Sequence, residues 1–171
     1  MSKETIHLKT DSDGIDWEQV TEVLQKSGLS DEPAEVHKKA FTNSGLVAFL
    51  LDSDKIIGVA RALTDHVSQG AIYNVALRDE YQGRGLGRKL IESLLERMQG
   101  QNVILYTHPQ TVLMYEKFGF RRAKSAMEFF PIEGEHKAWL ESEGFFLPEG
   151  FRFADEYKRE DMKGPRWKRN E

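Results

Sequence analysis

Six consecutive residues, Gln82-Gly83-Arg84-Gly85-Leu86-Gly87, have the make-up of an anion grip. They follow an apolar stretch, 71–77, that is rich in β-formers. They precede a run in which Leu86, Leu90 and Leu94 recur four apart, with Ile91, Leu95 and Met98 beside them. The pattern predicts strand, glycine-rich turn, amphipathic helix. The first turn of a helix carries backbone N–H groups without intrahelical partners, and the helix dipole adds partial positive charge there. Glycines let an anion reach those amides without meeting a Cβ. Arg84, Arg88 and Lys89 bring further positive charge.

A lone G-x-G also closes ordinary turns, so the bland reading of these glycines stands beside the functional one. The longer Q-x-x-G-x-G pattern, between strand and helix, is more selective. Two commoner phosphate motifs do not fit. A dinucleotide fingerprint needs a sixth-place glycine, where this chain has Arg88, and a P-loop needs Gly-Lys-Ser/Thr, which the chain lacks.

The hexapeptide resembles the signature with which the Gcn5-related N-acetyltransferase (GNAT) superfamily grips the pyrophosphate of acetyl-CoA. The run from 58 to 98 is similar to small bacterial amine acetyltransferases and their arylalkylamine-type relatives. The likeness covers about residues 5–130, is strongest over 58–120, and is absent after Pro131. It implies an α/β (α+β) fold: a mixed sheet of six to seven strands, helices on both faces, and a splay between the fourth and fifth strands that takes the pantetheine arm. It implies that Val75, Ala76 and Leu77 line that arm, with amides of Val75 and Leu77 bonded to it. The Leu77 N–H would polarise the thioester carbonyl. Gln82, Gly83, Arg84, Gly85, Leu86, Gly87 and Arg88 would hold the diphosphate. In the piece Met114-Tyr115-Glu116-Lys117-Phe118-Gly119-Phe120, Tyr115 matches the tyrosine that commonly faces the coenzyme A sulfur.

These groups need a scaffold, and the rest of the chain predicts one. Residues 5–10 alternate as a first strand. Asp16 and Gln19 resemble a capping box opening a helix to about Ser27, closed by Gly28. A second helix is expected over 33–42, with Pro33 in its first turn. Residues 46–52 and 55–63 read as a hairpin across Ser53-Asp54, then 64–70 as a polar loop. Residues 102–107 read as a strand broken by Pro109, 111–118 as a helix stopped by Gly119, and 121–130 as a last strand or hairpin arm. In the resembled family the first two helices and their connection wall the acceptor groove.

Direct acetyl transfer needs a held thioester, a neutral amine and a protonated leaving thiolate. Tyr115 is the candidate acid; the alternative is a half-buried packing tyrosine. A phenol of pKa about 10 can help a thiolate of about 8.5 only where the site aligns them. The base stays open. Some branches place a glutamate early in the strand before the phosphate loop, whereas here the sequence is Ala71-Ile72-Tyr73-Asn74. Asp65, His66, Tyr73 and Glu128 are candidates, each also an ordinary loop or surface residue. His108 either lines the cofactor gap or simply ends its strand. No metal site is expected, since His7, His37, His66, His108 and His136 are scattered.

Residues 131–171 lie outside the likeness. Trp139, Phe145, Phe146, Phe151, Phe153, Tyr157 and Trp167 make this an aromatic-rich extension rather than a disordered tail by composition. It is expected to pack on the 1–130 acetyltransferase domain. There it covers the sheet or a dimer seam, or else folds over the acceptor end. The 171 residues suit one domain, and the absence of cysteine excludes disulfides, thiolate metal sites and a cysteine nucleophile. A net charge of −4 argues against a broad grip on nucleic acid. Neither a signal-like start nor an apolar run of about 20 residues is seen, so a cytoplasmic protein without a membrane partner is expected. The leading expectation is an acetyl-CoA-dependent N-acetyltransferase for a small primary amine, with a homodimer possible. The alternatives are a non-catalytic acyl-CoA sensor and a protein lysine or N-terminal acetyltransferase.

Overall fold

The computed structural model describes residues 6–124, 126–128 and 135–153, in two compact units, Met1–Tyr106 and Thr107–Glu171. The first unit holds a five-stranded sheet in the order β1-β2-β3-β4-β5. The strands are β1 (Ile6–Lys9), β2 (Leu46–Asp52), β3 (Lys55–Thr64), β4 (Gln69–Leu77) and β5 (Asn102–Leu105). The first four pair antiparallel and β5 pairs parallel to β4, so the sheet is mixed.

Helices α1 (Trp17–Lys26) and α2 (Ala34–Thr42) cover one face. Period-two alternation sends Val47 and Phe49 of β2 into a cluster with Val20, Val23, Leu24 and Phe41. Trp17 packs edge-on to Phe41 and Phe49, whose rings stack at 5.6 Å. The intervening Ala48 and Leu50, also buried, point to the opposite face. There α3 (Leu86–Glu96) lays down Leu90, Ile91 and Leu94, none more than 1% exposed. Burying each such side chain contributes roughly 1.5–3 kcal/mol.

Local signals account for most element ends. The Asp16 carboxylate accepts from the amides of Glu18 and Gln19, as the capping pattern predicts. Gln19, however, donates to Asp16 at 3.1 Å and accepts from the Ile56 amide at 2.8 Å, so it ties the cap to β3. Buried His37 bridges the Thr21 and Ser30 hydroxyls at 2.8 and 3.0 Å, joining α1, α2 and their connection; burial lowers its pKa.

The second unit contains a 3-10 turn (Pro109–Thr111), α4 (Val112–Glu116) and α5 (Glu135–Ser142). Helix α4 is shorter than the expected 111–118 because Pro109 starts a 3-10 turn ahead of it. Of the expected strand at 121–130, the described residues 121–124 and 126–128 have no strand structure, and 125, 129 and 130 lie outside the described residues. Among the described residues the sheet therefore has five strands, not six to seven. Of the extension's aromatics, Trp139 and Phe145 pack together, while Tyr157 and Trp167 lie outside the described residues.

Candidate active site

Strand β4 is paired on both sides only at its start. Gln69, Gly70, Ala71 and Ile72 face Asn102, Val103, Ile104 and Leu105 of β5, where β5 ends. Beyond that point β4 runs on to Leu77 against β3 alone. The N–H of Arg78 donates to the Ile57 carbonyl at 2.8 Å. Since amides alternate along a strand, the Ala76 N–H also faces β3, and those of Val75 and Leu77 face the edge that no strand covers among the described residues. An uncovered run of strand amides can bond an extended amide-bearing chain.

One short turn later the chain enters α3. A 3-10 turn (Asp79–Tyr81) leads through Gln82 to Gly83 and Gly85, whose φ values of 73° and 75° are costly for any residue with a Cβ. Gly85 is the N-cap of α3 and offers no side-chain cap. The first helical bond recorded there runs from Lys89 N–H to Gly85 O, so the amides of Leu86 and Gly87 precede the ladder. A Cβ built at Gly83, Gly85 or Gly87 would meet nothing within 4 Å. Gly87 has an ordinary φ, so neither strain nor packing explains it. The space beside the first-turn amides is open, and amides at a helix start can bind an anion.

The loop is braced from below. Tyr81 donates its hydroxyl to the Asp52 carboxylate at 2.9 Å, which raises its pKa. Its ring carries the Lys55 ammonium at 5.5 Å and the Arg84 guanidinium at 5.2 Å. The Gln82 amide donates to Asp79 at 2.9 Å. Arg88 pairs with Glu92 at 3.0 Å along α3. Arg78, only 6% exposed, donates to the Ile56 carbonyl and to Glu22 of α1 at 2.7 Å each, fixing the end of β4 to α1. The Arg78 bond and then that of Lys26 pull Glu22 down to about 2.

Among the candidate bases, Asp65 is fully occupied. Its carboxylate accepts from the amides of Val67, Ser68 and Gln69 and from the Ser68 hydroxyl, all within 3.0 Å. These bonds hold it well below the usual carboxylate range and shorten the expected 64–70 loop to residues 65–68. His66 sits in the same turn at φ 59°. Tyr73 is the first β4 residue beyond β5, and Glu128 is exposed outside any helix or strand.

In the second unit, His108 accepts from the Gln110 amide through Nδ1 and meets Glu143 through Nε2, both at 3.2 Å, with its ring edge-on to Phe145. It thus caps the Pro109–Thr111 turn. Tyr115 in α4 is 8% exposed, with its ring edge-on to Phe120. Burial pushes its phenol up, a hydrogen bond with Thr107 opposing. The structure thus gathers Val75, Ala76, Leu77 and residues 82–88 in one unit and holds His108 and Tyr115 in the other. The residue that sequence reasoning passed over is Asn74, at φ 53° in the middle of β4; an asparagine inside a β-rich run was its one available signal.

A groove of about 480 Å³ lies between α1 and α2, lined by Trp17, Glu18, Thr21, Gln25, Glu35 and Lys38 among others. It shares no residue with the glycine loop. Among the described residues no cluster of three or more His, Asp or Glu side chains suits a metal, and no helix is long and apolar enough to cross a membrane.

Comparison with known proteins identifies the family. The acetyltransferase (GNAT) family matches residues 15–120, and the chain belongs to that family. A histone acetyltransferase of Glycine max is 32% identical over 121 residues, 62% of this chain and 52% of that one. A chloroplastic serotonin N-acetyltransferase of Oryza sativa is 30% identical over 121 residues, 66% of this chain and 60% of that one. The matches span 27% to 65% of the length of other curated relatives. A GNAT-family acetyltransferase structure from Streptococcus pneumoniae shares the fold, with a TM-score of 0.64 at 23% identity, covering 77% of this chain and 100% of that one.

Proposed function

We propose that the chain transfers acetyl from acetyl-CoA directly to a primary amine of a small molecule. One juxtaposition supports this above all: a glycine cradle that packing does not require, one short turn after a strand edge with uncovered amides. In this reading residues 82–88 hold the diphosphate, Val75 and Ala76 line the arm, and the Leu77 N–H bonds the thioester carbonyl as its negative charge grows. His108 contributes to the cofactor gap. With no cysteine in the chain, transfer proceeds without a cysteinyl intermediate.

Tyr115 serves the leaving thiolate. Burial keeps its phenol protonated. With a pKa above the ordinary value of about 10, against about 8.5 for a thiol, full transfer is uphill, so Tyr115 acts by donating a hydrogen bond as the sulfur departs. Tyr115→Phe should lower kcat by about 10²-fold or more and leave the Kd for coenzyme A unchanged. The acidic balance suits a cationic acceptor, and the relatives named for serotonin and for histones bracket small and protein-borne amines. A cytoplasmic location and a homodimer are the compartment and assembly we expect.

The test is thiol release from acetyl-CoA with arylalkylamines, polyamines, amino sugars and histone-tail peptides. Turnover of a small amine supports the proposal, and turnover of the peptides alone redirects it to protein acetylation. A second reading, an acyl-CoA sensor, draws on the lack of a carboxylate in 71–74 and on the occupied Asp65. Calorimetric binding of acetyl-CoA without turnover across the panel would favour the sensor.

A further inference from the structure

We infer that Arg61 and Asn74 are positioning residues for the thioester site, because the bond between them holds the β-bulge that turns the Val75 and Leu77 amides outward. The inference rests on the acetyl-CoA reading above. Along β3 and β4, Arg61 faces Tyr73 and Val59 faces Ala76. Between those pairs β3 has one residue, Ala60, and β4 has two, Asn74 and Val75. That is a bulge, and its extra residue shifts the alternation of everything after it.

The consequence follows from parity. With Arg78 N–H on Ile57 O and Ala76 opposite Val59, the amides of 76 and 78 face β3. Without the bulge Val59 would face Val75, and Ile57 would face Leu77. The Leu77 N–H would then be taken up by β3, and the uncovered edge would present Ala76 instead. The splay between β4 and β5 supplies the space; the bulge decides which amides look into it.

An asparagine at φ 53° is strained, by roughly 1–3 kcal/mol, and persists only when its surroundings hold it. Here the holding group is Arg61. Its Nε donates to Asn74 Oδ1 at 2.6 Å, and its guanidinium lies over the Tyr73 ring at 5.1 Å. Its Nη1 donates to Ser44 Oγ at 3.2 Å, and the Ser44 hydroxyl donates to the Ala40 carbonyl at 2.8 Å at the end of α2. Arg61 is partly buried and has no carboxylate partner among the described residues. Its fork and its stacking surface are both engaged, which a lysine cannot reproduce.

Two variants test this. Asn74→Gly removes the acceptor but also relieves the strain at φ 53°, so glycine should hold the bulge without Arg61. The readouts are amide chemical-shift changes on adding acetyl-CoA, the calorimetric Kd for coenzyme A, and kcat with an accepted amine. In each variant the shifts at Gly85 and Gly87 should persist and the Kd should stay within about tenfold. In Arg61→Met the shift at Leu77 should be lost and kcat should fall at least tenfold, whereas Asn74→Gly should keep both. The Arg61→Met/Asn74→Gly double variant should recover the Leu77 shift and most of the lost kcat, because glycine needs no lock. Arg61→Lys should recover less than half of the lost kcat. An unchanged Leu77 shift with kcat within twofold in Arg61→Met, or a double variant no better than Arg61→Met, would overturn the inference. Absent shifts at Gly85 and Gly87 in the unmodified protein would overturn the acetyl-CoA reading itself, and this inference with it.

Discussion

Gly87→Ala separates a binding role from a folding role, because the two predict effects of opposite sign. Gly87 is the second residue of α3, its φ is ordinary, and a Cβ there meets nothing within 4 Å. For the unliganded protein alanine is therefore the better residue. Glycine inside a helix costs up to about 1 kcal/mol against alanine, and compatible replacements gain about 0.4–1 kcal/mol. That corresponds to a Tm higher by roughly 1–4 °C for a chain of this size. In the proposed acetyl-CoA reading, the same methyl occupies the volume through which a diphosphate oxygen would approach the first-turn amides. Losing one hydrogen bond to a charged group costs about 1.5–3 kcal/mol, or roughly 10- to 100-fold in Kd. Thermal melts without ligand and calorimetric titration with coenzyme A measure the two effects independently. A lowered Tm would show that the glycine serves packing after all. A Kd equal to that of the unmodified protein would remove the diphosphate from this helix end.

Other expectations follow from the same geometry. Glu22→Gln leaves the nearly buried Arg78 guanidinium without its carboxylate; because Glu22 itself is 44% exposed, water softens the loss to about 1–2 kcal/mol, read by urea unfolding. Glu22 is depressed in the fold to about 2 from an ordinary 4.5, so its contribution is complete above about 4.5 and fades as pH falls toward 2; acid titration of Glu22→Gln should be flatter across that window. Gly58→Ala puts a Cβ 2.7 Å from Leu77 Cδ1 and 3.2 Å from both the Ala76 carbonyl and Leu90 Cδ1, so it should cost about 1–3 kcal/mol and reduce kcat by disturbing Leu77. Asp65→Asn should leave the pH profile of acetyl transfer unchanged, since that carboxylate serves its turn; a changed acidic limb would return Asp65 to the role of base.

What the sequence determined by itself was set by short-range chemistry. The hairpin edges at Leu46–Asp52 and Lys55 are legible because alternation and a two-residue turn are local. The Asp16 cap and the spacing of Leu86, Leu90 and Leu94 name their helices for the same reason. Gly85 and Gly87 stand out because a glycine pair at a strand-to-helix turn has few purposes. Tertiary structure alone decided where β5 stops relative to β4, that residues 121–124 and 126–128 add no strand, and that Asp65 is consumed by its own turn. It also decided that Asn74 carries a bulge locked by Arg61, thirteen positions away. Register is a property of two strands together, and a one-residue offset between them reverses which amides face the gap. No single stretch of sequence carries that information, because it exists only once the partner strand is in place.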